Sequence, residues 1–296
     1  MSISSEISSR FWNLPQMVDM ELLREKSNYD DVILKYHTEK EILSNLDGIK
    51  TVFDGGAGYG RFSILLAQKG IDVTHFDISH AMIDKAKEIA YRQGVLDKMT
   101  FIRGSLEDLT QFANRQFDMV LSFDAPISYT YPNHENVIKN LIRICSKRII
   151  ISVYNRVGGY MLHAFKHTLK QTPHENVKDY LPDIKCAFYV LKTGLADRPE
   201  DVIAKYEKGE TTWPLSYSFT ASELLFILEK NGAGNIKLSG PGALLRSIPK
   251  EVLINIFNDE KAKSEFLDFC YAHDSQSNCE GMGMTNIIAR AEICNE

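Results

Sequence analysis

Short apolar runs of strand type alternate with stretches of helical spacing along most of the chain. Val52 and Phe53 read as the end of a buried strand, and Phe62, Leu65 and Leu66 follow at helical spacing. The run from Ile71 to Phe76 is a second strand. Met82, Ile83, Ala86 and Ile89 then form the inner face of a helix, which Ser79 can cap and Gly94 ends. A short third strand falls over 99–103. The fourth, over 117–123, is nearly all apolar after Asp118, as a strand covered on both faces must be. Val137, Ile138, Leu141 and Ile142 predict a helix over 135–145 with Asn133 as its cap, and 148–154 is a fifth strand. Thr220-Ala-Ser-Glu223 is a capping box ahead of Leu224, Leu225, Ile227 and Leu228, so a helix starts there. Further strands fall at 235–239 and 285–291. Strands alternating with helices predict an α/β fold with a parallel sheet covered on both faces.

Three stretches stand outside this alternation. In residues 1–50, Phe11, Trp12, Leu14 and Met17 form an apolar cluster interrupted by Pro15. From about Asp30, Val32, Ile33, Tyr36, Ile42, Leu43 and Leu46 recur at helical spacing, with Gly48 as the expected stop. Residues 155–219 delay the sixth helix. Residues 240–283 carry Val252, Ile256, Phe257, Phe266, Phe269 and Cys270, a pattern for two helices.

Bulk properties narrow the function. With 296 residues, 44% of them hydrophobic, the chain can bury a full core. A net charge of −5 argues against a general nucleic-acid surface. The five cysteines (Cys145, Cys186, Cys270, Cys279, Cys294) include no CxxC pair, so neither a zinc site nor a disulfide framework is predicted. No run approaches the roughly 18 apolar residues of a membrane span. The first residues lack the basic and apolar regions of a signal peptide, and a soluble cytoplasmic protein is expected.

The chemistry gathers at Asp54-Gly-Gly-Ala-Gly-Tyr-Gly60, between the first strand and its helix. A glycine turn in that position brings backbone N–H groups close to a nucleotide. Asp77 ends the second strand, at the roughly 20-residue step of one βαβ unit, where a carboxylate can accept hydrogen bonds from both ribose hydroxyls.

These residues resemble the class I S-adenosylmethionine-dependent methyltransferases, whose first motif is an acidic residue followed by Gly-x-Gly-x-Gly, matched by Gly56, Gly58 and Gly60. His75-Phe-Asp-Ile-Ser-His-Ala-Met82 is similar to the family's second-strand segment. Gly55 stands where a larger apolar residue is usual. A dehydrogenase fits less well, because its G-x-G-x-x-G spacing would put Ser63 at the third glycine, and Asp54 suits a ligand with an amino group and no phosphate.

The resemblance implies a Rossmann-like, doubly wound, mostly parallel seven-stranded sheet with an antiparallel last strand at or near its edge, and S-adenosylmethionine as cofactor. It divides the chain into an N-terminal helical lid (1–50), a cofactor-binding core (51–154), an inserted substrate cover (155–219) and a core completion (220–296) with the helical insertion at 240–283. The cofactor residues it implies are Asp54, Gly56, Ala57, Gly58, Gly60, Asp77, Ile78 and Met82, then Phe123 beside the methyl group. Ser105 with the Leu106 backbone takes the place of the usual adenine-binding acid. The alternative there is an ordinary loop with Glu107 and Asp108 in solvent. Tyr29 and Tyr36 either line the lid or pack on the sheet edge.

By the switch-point rule, the loop Asp124-Ala-Pro-Ile-Ser-Tyr-Thr-Tyr-Pro132 faces the sulfonium and the acceptor. Asp124, Ser128 and Tyr129 are its polar members, and Pro126 shapes the methyl site with Phe123. Tyr129 and Tyr131 read equally as a packed loop tip. Both insertions are expected at the catalytic end. In the cover, Tyr160, His163 and His167 share one helix face; the bland reading is a wet helix surface. Without an HExxH pattern, that histidine pair predicts no metal. An amine or phenol acceptor must lose a proton. Asp124, Tyr129, His134, His163 and His167 all qualify; the favoured assignment is Tyr129 orienting the acceptor and a cover histidine taking the proton. The expected partner is a small-molecule methyl acceptor, with no membrane and with nucleic acid disfavoured. A protein- or RNA-directed enzyme, hinted at by Lys166, Lys170, Lys178 and Lys185, and a binding protein that does not methylate stay as alternatives. Nothing in the sequence sets the oligomeric state.

Overall fold

A computed structural model describes residues 2–160, 181–276 and 278–294. Its sheet runs β3 (Met99–Arg103), β2 (Asp72–Asp77), β1 (Thr51–Gly55), β4 (Phe117–Ser122), β5 (Cys145–Asn155), β8 (Asn286–Ile293) and β7 (Ala233–Ser239). β8 is antiparallel to both neighbours, and the first five strands are parallel. A two-residue β6 (Ser218–Phe219) adds to the end of β5. The Rossmann-like reading therefore holds. The antiparallel strand lies one place in from the edge, between β5 and β7.

The helices cover both faces because the strands alternate. Phe53, Val120, Ile149 and Ile151 point to one face and pack with Val137, Ile138 and Leu141 of α6 (His134–Ile144). Val52, Met119, Leu121 and Ile150 point to the other, toward Phe62 and Leu66 of α4 (Arg61–Gln68) and Ala90 of α5 (His80–Arg92). Successive side chains leave a strand on opposite sides, so an apolar run such as that of β4 fills two cores at once.

The N-terminal stretch is three helices: α1 (Ile3–Trp12), α2 (Pro15–Ser27) and α3 (Tyr29–Leu43). Pro15 divides the first two by starting α2, where its missing N–H costs nothing. α3 ends five residues before the expected stop at Gly48, with Ser44 as C-cap. Its Tyr29 and Tyr36 face neither lid nor sheet edge. Tyr29 stacks on Phe257 at 4.4 Å, and the Tyr36 hydroxyl donates to Asp268. Both contacts are with the second insertion, whose two helices span Lys250–Phe257 and Glu260–Asp274 as the pattern predicts. That insertion packs on α3 through Leu253, Leu267 and Cys270 around Ile33. α1 instead meets the first insertion, through Ile7 against Val202 and Leu215.

Capping follows the sequence in two places and departs from it in one. The Ser79 hydroxyl accepts from the Met82 N–H at 3.2 Å. The Thr220 hydroxyl accepts from the Glu223 N–H at 3.2 Å, and the Glu223 carboxylate accepts from the Thr220 N–H at 2.8 Å. The Asn133 side chain makes no cap; its amide donates to Glu107 at 2.9 Å. No helix among the described residues is long and apolar enough to cross a membrane.

Thr220→Ala removes one half of the capping box while leaving the helix buried. It should cost about 1 kcal/mol in chemical denaturation with no change in m-value, and Thr220→Ser should recover most of the loss.

Candidate functional site

The carboxyl ends of β1, β2, β4 and β5 open into a cavity of about 900 Å³. The loop after β1 forms its floor. Gly56 sits there at a φ of +72°, and a β-carbon on it would lie 2.4 Å from Pro126. The turns after β1 and β4 are thus in direct contact, and glycine alone fits between them. The unusual Gly55 has a steric reason as well. A β-carbon there would meet Phe53 at 2.7 Å and Leu106 at 2.8 Å, so those side chains fill the space that a larger residue would take.

Asp77 is fixed by backbone donors. The Gly58 N–H donates to one carboxylate oxygen and the Ser79 N–H to the other, each at 2.8 Å. Each oxygen keeps capacity for a further hydrogen bond, and the residue lines the cavity. Asp54 accepts from the Ser63 hydroxyl at 2.6 Å, and that hydroxyl lies 3.1 Å from Nδ1 of His75. Ser63 gives its one proton to the carboxylate, so it accepts from His75, whose Nδ1 must carry hydrogen. Burial keeps this imidazole neutral, with its pKa lowered to about 3. Burial also raises Asp54, to about 7, and Asp77 and Asp124 add to the rise against the pull of Ser63. Burial raises Asp77 too.

The roof adds residues that were not named as site residues from the sequence. Trp12, Glu21 and Arg24 of α1 and α2 line the cavity, with Trp213 and Ser216 from the cover. Arg24 donates to both Glu21 oxygens at 3.0 and 3.1 Å and to Asp31 at 2.8 Å. Burial opposes the Arg24 charge, but Asp124, Glu21 and Asp31 outweigh it and raise its pKa. Burial raises Glu21, assisted by Asp124 and opposed by Arg24. Arg61 lies 3.8 Å from Asp124. In all, the described lining carries seven carboxylates (Glu21, Asp30, Asp31, Asp54, Asp77, Asp124, Asp197) against two guanidiniums.

Beside Asp124, the hydroxyls of Tyr129 and Tyr154 share a hydrogen bond. Burial first, then Tyr154, raises Tyr129 well above the usual phenol range. Burial raises Tyr154 as well. Both phenols keep their protons at neutral pH, so Tyr129 can orient a ligand but is no base. Asp124 and Ala125 both adopt φ of +62°, which turns the chain sharply past the end of β4.

Most residues named from sequence meet at this cavity. Asp54, Gly56, Ala57, Gly58, Asp77, Ile78, Met82, Ser105, Leu106, Phe123, Asp124, Pro126 and Tyr129 all line it. Gly60 does not; it is the N-cap of α4, at a φ of +85°. Ser128 turns away, its hydroxyl accepting from the Tyr154 N–H at 2.9 Å. His134 is withdrawn into a stack, 4.2 Å from Tyr217 and 5.9 Å from Tyr131, and burial lowers its pKa. It cannot serve as the base. Glu107 is no solvent acid; it accepts from Ser2 and Ser5 and ties α1 to the core. His163, His167, Lys166, Lys170 and Lys178 lie outside the described residues, as does the face shared with Tyr160. Among the described residues the second insertion, 240–283, contributes nothing to the cavity, so the expectation that both insertions meet the catalytic end fails for it. The roof had a faint sequence signal: Ser5, Ser8 and Trp12 recur on one helical face, and Glu21 and Arg24 stand one turn apart.

Comparison with known proteins gives the class. A methyltransferase-domain family model matches residues 52–148. The magnesium-protoporphyrin O-methyltransferase of Synechocystis sp. is 30% identical over 164 residues, covering 51% of this chain and 67% of that protein. The tRNA 5-carboxymethoxyuridine methyltransferase of Escherichia coli is 29% identical over 113 residues, 38% of this chain; the match spans 42% of that protein. A crystal structure of the Synechocystis magnesium protoporphyrin IX methyltransferase with bound S-adenosylhomocysteine superposes with a TM-score of 0.54 at 16% identity, covering 98% of this chain and 99% of that one. The chain belongs to the class I S-adenosylmethionine-dependent methyltransferases. S-adenosylmethionine is the family's cofactor, and the cavity fits it: a buried carboxylate with spare acceptor capacity ends β2, and at about 900 Å³ the space is near the upper end of the roughly 300–1,000 Å³ typical of ligand sites.

Asp54 gives a test that needs no ligand. Its folded pKa of about 7 lies above the unfolded 3.8, so the folded state holds the proton more tightly. Its stabilising effect is full below the unfolded value and is lost as pH rises through about 7. Asp54→Asn should therefore stabilise the ligand-free protein at pH 8 by on the order of 3 kcal/mol relative to wild type, with the gain vanishing near pH 4. A gain that does not vary with pH in urea denaturation would contradict this assignment.

Proposed function

We propose that this chain transfers a methyl group from S-adenosylmethionine to an oxygen or nitrogen of a small organic metabolite. The observation that carries the reading is the cavity itself. It joins the Asp54 and Asp77 end to an aromatic end bounded by Trp12, Trp213 and Tyr129, within one continuous space.

In this reading Asp77 accepts from the ribose hydroxyls, its orientation preset by Gly58 and Ser79. Asp54 receives the amino group of the methionine portion. Ser105 and Leu106 border the adenine, with Ile78 and Met82 beneath it. The bound cofactor supplies an electrophilic methyl group, so the protein's main task is alignment. Tyr129, held by Tyr154, orients the acceptor with a phenol that stays protonated. Of the carboxylates lining the cavity, Glu21 and Asp124 are the candidate proton acceptors in this reading. Burial raises the pKa of Glu21, which suits it to that task.

The Escherichia coli relative's name makes an RNA acceptor the second reading. The lining opposes it, because its seven carboxylates outnumber its two guanidiniums and would repel a phosphate chain.

Calorimetric titration separates these. Wild type should bind S-adenosylmethionine and S-adenosylhomocysteine. Asp77→Ala should weaken both by about a hundredfold, the worth of two charge-assisted hydrogen bonds. A labelled methyl donor should then mark the low-molecular-weight fraction of a cell extract and leave its RNA and protein unmarked. Binding of a nicotinamide dinucleotide in place of both titrants would overturn the reading.

A further inference from the structure

We infer that the roofed end of the cavity is a subsite for an amine, held as its ammonium ion. This rests on the proposed methyl-transfer reading, which places the cofactor at the Asp54 and Asp77 end.

Three observations converge. The first is charge. S-adenosylmethionine brings a single net positive charge, which leaves the lining's carboxylates in clear excess. The two guanidiniums are already engaged, Arg24 by Glu21 and Asp31 and Arg61 by Asp124. An anionic acceptor would compete with these carboxylates for the guanidiniums, whereas a cation meets an attractive wall.

The second is the aromatic wall. Trp12 lies edge-on to Tyr129 at 5.7 Å and to Trp213 at 6.0 Å, and Tyr129 and Trp213 are 6.4 Å apart. These three rings come from α1, the loop after β4 and the cover. Rings from separate elements that converge at this spacing present π faces and edges to one volume, an arrangement that favours an organic cation.

The third is a pair of unsatisfied hydroxyls. Ser8 and Ser216 both line the cavity, at 6% and 2% exposure, and neither Oγ has a hydrogen-bond partner. Buried hydroxyls without partners are costly. An ammonium group supplies N–H donors that such oxygens accept. Ser8 stands one turn before Trp12, and Ser216 follows Trp213 by three residues, so hydroxyl and ring approach from the same two elements.

The test uses the full chain saturated with S-adenosylhomocysteine and read by calorimetry. Matched probes differ only in charge: phenethylamine against hydrocinnamate, and tryptamine against indolepropionate. Both amines should bind at least about tenfold more tightly than their acid partners. Trp213→Ala should weaken amine binding roughly tenfold, Trp213→Phe should restore most of it, and both variants should still take up S-adenosylhomocysteine. Equal binding within each pair, or preference for the acids, with S-adenosylhomocysteine still bound, overturns the amine subsite alone. Failure of S-adenosylhomocysteine to bind wild type overturns the methyl-transfer reading and this inference with it.

Discussion

The structure depends on carboxylates gathered at neighbouring strand ends with too little positive charge to match them. Asp54, Asp77 and Asp124 end or follow β1, β2 and β4, and Glu21 closes over them from α2. Burying a carboxylate is unfavourable, and burial raises the pKa of Asp54 to about 7, with smaller contributions from the neighbouring Asp77 and Asp124. The fold tolerates it because the surroundings are rigid. Phe53 packs against Phe76, Phe112 and Phe117 at 5.2–5.4 Å, which clamps β1 to β2 and β4 directly beneath the site. Backbone N–H groups hold Asp77 without neutralising it. The consequence is a site preorganised for a cation, and a sulfonium with an amino group is such a ligand.

The roof is held by different means. α1 is tied down largely by hydroxyls: Ser2 and Ser5 donate to Glu107, and Ser4 donates to the Tyr131 carbonyl. Its apolar contacts with the cover are the small cluster of Ile7, Val202 and Leu215 and the edge-on rings of Phe11 and Trp12 against Trp213. α2 contributes Glu21 and Arg24, and Arg24 reaches Asp31 of α3, so that each guanidinium hydrogen bond is charge-assisted. The core thus rests on packed aromatic and aliphatic layers, and the roof on polar contacts that join elements distant in sequence.

That contrast explains what could be read from the sequence. Strands such as 117–123 announce themselves because burial on both faces demands unbroken apolar runs. The glycine turn and Asp77 are legible because backbone conformation and strand position fix their residue types. The roof is not legible in this way. Nothing local distinguishes Glu21 and Arg24 from an exposed helical ion pair; only tertiary packing brings them over Asp124. Asn133 has the residue type of a helix cap, yet the distant Glu107 competes for its amide. His134 has the chemistry of a base, but stacking on Tyr217 withdraws it. The second insertion shows its two helices in its periodicity, while its partner, α3, could be found only in three dimensions.

The central claim is that a bound ammonium group stabilises the ionised form of Asp54, which burial otherwise disfavours. Proton release on S-adenosylhomocysteine binding tests it most directly, measured calorimetrically at one pH in buffers of differing ionisation enthalpy. Because Asp54 titrates near pH 7 when the cavity holds no cation, binding near pH 6 should expel close to one proton, and release should fade by about pH 8.5. Asp54→Asn should abolish the release. Binding with no proton release in wild type, or release that persists in the variant, would contradict the account.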